Sequence, residues 1–463
     1  MKQLIKTQFR LLIVLILILL GGLIMVFPPA SLTPTQVYTA VLSLLAIGLW
    51  GTGLIPEHIT SLLFFSLAML LSLAAPEHVF AGFSSSAFWL VFGGLIIGIA
   101  IKNTGLGKRI ATYLVRHLES SYVHLISGVV VIGIVFSFLM PSAMARIVLI
   151  IPVVLFIVEH FAFEKGSNGR TGIVLAAIMG AFVPAFSILP ANVANMVLAG
   201  MYETQFEQSL YYGEYLLLHF PVLGLLKATI IIALIIYLYP DEIKKQNQGE
   251  LEHKRPWTKN EIFLTILLVL ALLFWITDFL HHISPAWIAL LVALILLFPK
   301  IEIVSKEEFN REINYASLFF VAGIIGFGVV ISQSGLANLL AESLLTHFPL
   351  NQEAIFLNYM LLNLSAMLTA IFTTSPSVPA VLTPVAEQLS QASGLSLKTV
   401  VMTQVWGYST TIFPYQAAPV LIALQLAGEK LSSAVKFSGL LALLTIVFLM
   451  PINFLWWRLL GWL

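Results

Sequence analysis

No cysteine occurs among the 463 residues, which removes disulfides, thiolate metal ligands and cysteine nucleophiles together. Charge is scarce as well: Asp, Glu, Lys and Arg make up 10% of the chain, against roughly 25% in a soluble globular protein. The formal net charge of +1 leaves no electrostatic footprint for a nucleic acid. No Walker-type phosphate loop is present, which argues against ATP-driven work within this chain. No nucleophile–base pair or metal motif lies within the apolar runs, so an intramembrane enzyme ranks last among the readings. His281-His282 lacks a third ligand and reads as interfacial. The Trp456-Trp457 and Trp462 cluster reads as an aromatic belt.

What is there is apolar. The chain is 59% hydrophobic with a mean hydropathy of +0.98, and its charges gather between apolar runs, as a polytopic all-α membrane protein requires. Runs lie near 11–27, 36–54, 58–76, 86–102, 122–160, 171–200, 215–239, 259–280, 284–299, 314–333, 353–390, 397–425 and 433–463. Amphipathic stretches follow at 103–119 and 336–348. Lys2, Lys6 and Arg10 precede the first run, and Phe27-Pro28-Pro29-Ala30-Ser31 is a poor cleavage site, so residues 1–34 read as an uncleaved anchor helix.

The one clearly hydrophilic linker, 241–258, carries Lys244, Lys245, Lys254 and Arg255 and divides the rest into a first repeat, 35–240, and a second, 259–463. Gly93, Gly98, Ile101, Gly105 and Leu106 recur 230 residues later as Gly323, Gly328, Ile331, Gly335 and Leu336. Ile188-Leu189-Pro190-Ala191-Asn192 is answered by Ile412-Phe413-Pro414-Tyr415-Gln416. The ordered set argues for duplication.

Lys and Arg placement puts the N-terminus and the linker in the cytoplasm. The first amphipathic stretch is basic, through Lys102, Lys108, Arg109 and Arg116, and the second has no Lys or Arg from Ala337 to Phe348. Opposite orientation of the two repeats follows. With 122–160 as an inner re-entrant hairpin and 353–390 as an outer one, eleven full spans remain and the C-terminus lies outside.

Both hairpin regions break at small residues. The first reads Met140-Pro141-Ser142-Ala143-Met144-Ala145-Arg146, the second Thr373-Thr374-Ser375-Pro376-Ser377, and Ser142 and Thr374 each stand ten residues before a proline, Pro152 and Pro384. Non-helical backbone at membrane depth persists only where it lines a cavity or is buried in protein. Paired interruptions in two halves point to a transporter's substrate site. A half-helix N-terminus presents unpaired N–H groups and a positive dipole end, so helices restarting after Met144 and after Pro376 favour an anion. Ser142, Ala143, Thr374, Ser375 and Ser377 are the substrate candidates at the tips, with helix packing as the alternative for their small side chains.

Arg146 lies in an apolar region, where a cation is usually paired or functional. It either contacts substrate or takes a sodium ion's place; the alternatives are snorkelling or a structural pair, and Glu119 and Glu159 flank the hairpin's water ends. Asn192 and Gln416 follow the matched prolines, and their amides can serve an anion, a cation or an interhelical hydrogen bond. Asn195, Gln404 and Ser409-Thr410-Thr411 are secondary candidates. A sodium/proton antiporter is a further reading, but it needs intramembrane carboxylates, and Asp278 near a span end is a poor substitute.

Phe88-Trp89-Leu90-Val91-Phe92-Gly93-Gly94, with Lys102-Asn103-Thr104-Gly105-Leu106-Gly107-Lys108-Arg109-Ile110, resembles the divalent-anion/sodium symporter (DASS) family of anion permeases, from about Thr35 to the end. The resemblance implies eleven spans, two inverted repeats with oppositely oriented hairpins, a dimerisation scaffold, an elevator-like transport domain and residence in a bacterial inner membrane. In that family the tips and the nearby broken helices bind sodium ions and a carboxylate-bearing substrate. This carries candidate ion-binding roles to Ser142, Pro190, Thr374, Thr410 and Pro414, with sodium as the one ion implied. The family's Ser-Asn-Thr signature falls on Ser142-Ala143-Met144 and on Thr374-Ser375-Pro376, so both asparagines are absent. Ala145-Arg146 resembles the Ala-Arg of the exchanger branch, whose members swap anions without sodium. The expected function is secondary transport of di- or tricarboxylates, with an inorganic oxyanion such as sulfate, or sodium symport, as alternatives.

Overall fold

A computed structural model of the chain describes all residues except 1, 30–31, 108, 111–120, 141, 244–255, 348–349 and 414–415. Most of the basic linker, Lys108 and Arg116 of the first amphipathic stretch, Glu119 and Pro414 therefore lie outside the described residues. Among those described, helices account for the regular structure and no strand occurs. Among the described residues, nine helices are long and apolar enough to cross a membrane, and shorter apolar helices accompany them at Leu11–Val26, Glu57–Leu70, Pro285–Leu297 and Ile355–Ile371. Large apolar side chains on their outer faces, such as Leu19, Leu270 and Leu455, are exposed. In water that surface is a cost; in lipid it is the solvated face.

Matched helices occupy corresponding places in the two halves. Ser86–Thr104 and Tyr315–Gln333 are each 19 residues long. Gly105 and Gly335, which follow them, have φ of 75° and 76°, the left-handed conformation that favours glycine at a helix end. The contacts between halves are crossed. Ser86–Thr104 packs on Pro285–Leu297 of the second half, and Tyr315–Gln333 packs on Glu57–Leu70 of the first. A Cβ on Gly93 would stand 2.7 Å from the backbone of Ala289, and one on Gly323 would stand 2.3 Å from Ser61 Cβ. Ion pairs cross in the same way: the nearly buried Arg170 with Glu429 at 2.9 Å, and the partly exposed Lys398 with Glu214. Each basic residue opens the first part of a broken helix in one half, and each acid follows the second part of the broken helix in the other. The last helices of both halves also carry a π-helical turn, Phe220–Leu226 and Thr445–Leu449.

Two hairpins lean on these broken helices. The first has arms Tyr122–Leu139 and Ala143–His160. The second has Ile355–Phe372, then Ser377–Leu382, a 3-10 turn Thr383–Val385, and Ala386–Ser393. The first broken helix runs Asn168–Phe182, through 3-10 turns at Pro184–Ser187 and Leu189–Ala191, to Val193–Phe206. The second runs Leu397–Ser409 and resumes at Ala418–Ala427. In each half the hairpin's first arm packs on the first part of the broken helix, and small residues bring the backbones together. A Cβ on Gly180 would stand 2.8 Å from Val130 Cα, and one on Gly407 would stand 2.1 Å from Ala366 Cβ.

One reading of the sequence needs correction. Trp457 is buried rather than placed in an aromatic belt. Pro221 lies in the first π-helical turn and has no N–H to give back to Leu217. Trp456 Nε1 donates to the carbonyl of Leu217 at 3.1 Å and Trp457 Nε1 to that of Leu218 at 3.3 Å. These two indoles pin the last span to the π-helical turn.

The close backbone approaches predict that Gly180→Val and Gly407→Val each lower stability by about 1–3 kcal/mol through overpacking. Gly98→Ala, whose added Cβ meets nothing within 4 Å, leaves it unchanged or slightly higher. Thermal unfolding of the purified variants in detergent checks all three.

Candidate functional site

At the first tip the chain leaves Tyr122–Leu139 through an extended Met140 and restarts at Ala143. Ser142 is the N-cap, its Oγ accepting from the Ala145 N–H at 3.3 Å. Pro152 sits inside the following helix without ending it. One turn in, Arg146 is 0% exposed. Its Nε donates to the carbonyl of Ala181 at 3.1 Å, and its Nη1 to those of Met140 at 2.5 Å and Ala191 at 2.7 Å. Nη2 is buried and unpartnered. Neither snorkelling nor a carboxylate pair describes Arg146 among the described residues. The tip meets the break halfway along the 168–206 segment, and the guanidinium is the joint between them.

Side chains also satisfy the rest of that break. Asn192 caps Val193–Phe206: its Oδ1 accepts from the Asn195 N–H at 3.0 Å, and its Nδ2 donates to Ala185 O at 3.2 Å. Asn195 is 0% exposed. Its Nδ2 donates to the carbonyls of Phe186 at 3.1 Å and Ile188 at 2.9 Å, while its Oδ1 accepts from the Tyr408 hydroxyl at 3.0 Å. Tyr215 donates to Phe186 O at 2.9 Å. Pro190 is buried in the second 3-10 turn. Tyr408 belongs to the other half, so the two broken helices meet through this network.

The second tip is built differently. Thr373 is extended, Thr374 Oγ1 and Ser377 Oγ lie 3.0 Å apart, and Ser375 and Ser377 are buried. The helix after Pro376 lasts six residues, Ser377–Leu382. Pro379 and Pro384 each remove a backbone donor, and the second of them lies in the 3-10 turn. A six-residue helix has a much weaker dipole end than the 18-residue helix after the first tip. Gln416 joins the second break to this hairpin: its Oε1 accepts from the N–H groups of Ile412 at 2.9 Å and Phe413 at 2.7 Å, and its Nε2 donates to Ala370 O at 2.8 Å. Gln404 Oε1 accepts from Thr383 Oγ1 at 3.3 Å, a further tie between the two. Thr410 Oγ1 donates to Trp406 O at 2.7 Å.

The structure thus brings Ser142, Ala143, Arg146, Pro190 and Asn192 together around the first break, and Thr374, Ser375, Ser377, Thr410 and Gln416 around the second. Both candidate amides bond to backbone, Asn192 within the first break and Gln416 between the second break and its hairpin. Asp278 accepts from the N–H groups of Tyr212 and Gly213, at the start of Tyr212–His219 and away from both tips. One charged residue escaped the reading of the sequence. Lys227 lies in the apolar run 215–239, at the end of the π-helical turn, and is 1% exposed. A lone cation inside an apolar run was the available signal, the same one that marks Arg146.

Residues 6–463 match the family described as the sodium:sulfate symporter transmembrane region. The inner membrane protein YbhI of Escherichia coli K12 is 24% identical over 401 residues, covering 83% of this chain and 83% of YbhI. The sodium-dependent dicarboxylate transporter SdcS of Staphylococcus saprophyticus is 23% identical over 351 residues, covering 69% of this chain and 67% of SdcS. Among solved structures, the Alcanivorax borkumensis YdaH transporter superposes with a TM-score of 0.54 at 15% identity, over 93% of this chain and 99% of that one. The last likeness is one of fold.

The Asn195–Tyr408 bond makes a measurable link between the halves. Asn195→Ala removes three buried hydrogen bonds, to Phe186 O, Ile188 O and the Tyr408 hydroxyl, and is expected to cost about 2–4 kcal/mol. In a double-mutant cycle with Tyr408→Phe, unfolding measurements are expected to give a coupling of about 0.5–3 kcal/mol. Strict additivity would mean that the hydroxyl does not hold the amide.

Proposed function

The chain belongs to the sodium:sulfate symporter family of membrane transporters, and from that premise we propose that it is a secondary active permease for small multivalent anions, di- and tricarboxylates first, working by anion exchange. The observation that carries the exchange reading is the Arg146 guanidinium, seated on the carbonyls of Met140, Ala181 and Ala191. Unwound backbone carbonyls at a hairpin tip and a helix break are the ligands that a desolvated sodium ion takes in transporters. Here a covalently held cation collects them. A cation that cannot leave cannot be co-transported, so charge compensation for the anion is built in at the first break. The unpartnered Nη2 is the donor left for substrate. Ser142, Ala143, Thr374, Ser375 and Ser377 line the tips beside it, and Asn192 and Gln416 hold the two breaks in shape.

The crossed helix contacts and crossed ion pairs support two-fold-related, oppositely oriented repeats, because a two-fold relation returns every contact in reciprocal form. On that basis the hairpins enter from opposite faces of the membrane, and the N-terminus and linker face the cytoplasm of a bacterial inner membrane. The hairpins and broken helices move as one transport body against a dimeric scaffold.

The test is counterflow in proteoliposomes with purified protein. Wild type is expected to exchange radiolabelled succinate for internal succinate at the same rate in sodium and in potassium buffers. A requirement for sodium would replace exchange with symport, and a response to sulfate alone would make the substrate an inorganic oxyanion. Arg146→Ala leaves buried carbonyls without donors, each costing about 1–3 kcal/mol. The variant is expected to lose counterflow while still inserting, and sodium is expected to raise its melting temperature but not that of wild type. Retained exchange at normal expression in Arg146→Ala would overturn the assignment.

A further inference from the structure

Lys227 opens the helix Lys227–Leu238 directly after the π-helical turn Phe220–Leu226. Turns of this kind recur at functional sites because the inserted residue rotates the helix face that follows. The lysine is 1% exposed. Its Nζ donates to Thr410 Oγ1 at 3.4 Å and lies 5.6 Å from the Trp406 ring. No carboxylate pairs with it among the described residues. An ammonium carries three donors, and here its partners among the described residues are one long hydrogen bond and a distant ring.

That is an expensive arrangement. A cation at mid-bilayer costs about 2.5–3.5 kcal/mol on insertion scales, and an apolar side chain of the same length would fill the space without the penalty. Arg146 recovers its cost through carbonyls, whereas Lys227 has no such set. What it has instead is a small cavity with room for about one water-sized group, lined by Lys227 with Met179, Val183, Thr410, Thr411 and Ser438, among others. The Thr411 hydroxyl is buried in its wall and has no partner. The ammonium and the Thr411 hydroxyl therefore border a space with no carboxylate among its described lining residues. That room suits a single oxyanion oxygen in place of a water rather than a whole substrate. Met179 and Val183 come from the first broken helix and its end, Thr410 and Thr411 from the second break. An anion there touches both halves at once.

We propose that this cavity is an anion subsite that takes an oxygen of one oxyanion head group, a carboxylate or an inorganic oxyanion, against Lys227 Nζ and the Thr411 hydroxyl. The assignment rests on the permease reading and adds a second fixed positive charge to it, at the second break, where neither Thr374, Ser375 nor Ser377 supplies one.

The test uses full-length purified protein in detergent, with potassium succinate, potassium sulfate and potassium chloride as probes in calorimetric titration and thermal shift. Wild type is expected to bind succinate or sulfate and not chloride, and whichever oxyanion binds identifies the head group. Lys227→Met is expected to weaken that binding about tenfold or more, and Thr411→Val about threefold or more, as when a buried charge-assisted or neutral donor is lost. The ligand-free melting temperature of Lys227→Met is expected to equal or exceed that of wild type, an outcome that a purely structural lysine would not give. Affinity within twofold of wild type in either variant overturns the subsite alone, and Thr411→Val decides if Lys227→Met does not survive purification. An equal response to chloride overturns the oxyanion assignment. No wild-type response to any probe overturns the subsite and the permease reading together.

Discussion

Backbone that leaves the helix inside an apolar interior must still have its carbonyls hydrogen-bonded, and the polar residues around both breaks are placed by that need. Arg146, Asn192, Asn195 and Tyr215 between them take the carbonyls of Met140, Ala181, Ala185, Phe186, Ile188 and Ala191. Gln416 does the corresponding work at the second break. Trp456 and Trp457 do it for the π-helical turn. Each irregular stretch is bonded by side chains. A held-open break is also a preorganised one, since its dipoles need no rearrangement before a ligand arrives.

The two halves share a frame and differ in charge. Helix lengths, caps, glycine contacts and ion pairs recur in crossed form. The chemistry at the tips does not recur. The first tip starts an 18-residue helix and carries a guanidinium one turn in; the second starts a six-residue helix lined by hydroxyls. Lys227 redresses the balance from an unexpected direction, because it reaches the second break from the last helix of the first half. The positive charge of the region is therefore asymmetric in sequence and two-sided in space.

Much of this frame was legible in the residues. Apolar run length gives spans because hydrocarbon thickness sets a minimum of about 20 residues. Proline with small polar residues gives breaks because a missing N–H and short side chains favour non-helical backbone. Both hairpin tips and both breaks fall where those signals put them. Arg146 was legible as an anomaly, though not its partners, because carbonyls carry no sequence signature. Asn192 and Gln416 were legible as polar groups beside prolines. That their amides bond to backbone of the breaks and of the neighbouring hairpin depends on distances of about 3 Å to residues as remote as Ala370. Trp457 was misread because a tryptophan near a chain end suits either an interface or a core, and only the carbonyls left by the π-helical turn choose between them.

The sequence alone determined that this chain is a helical membrane protein interrupted at proline-marked sites, because hydropathy and proline chemistry act locally along the chain. Tertiary structure alone decided what meets at those sites. It seated Arg146 on three carbonyls from separate segments and placed Lys227 beside a hydroxyl-lined cavity contributed by both halves. Such placements depend on how helices rotate and cross, and one additional residue in a π-helical turn is enough to change which face a side chain presents.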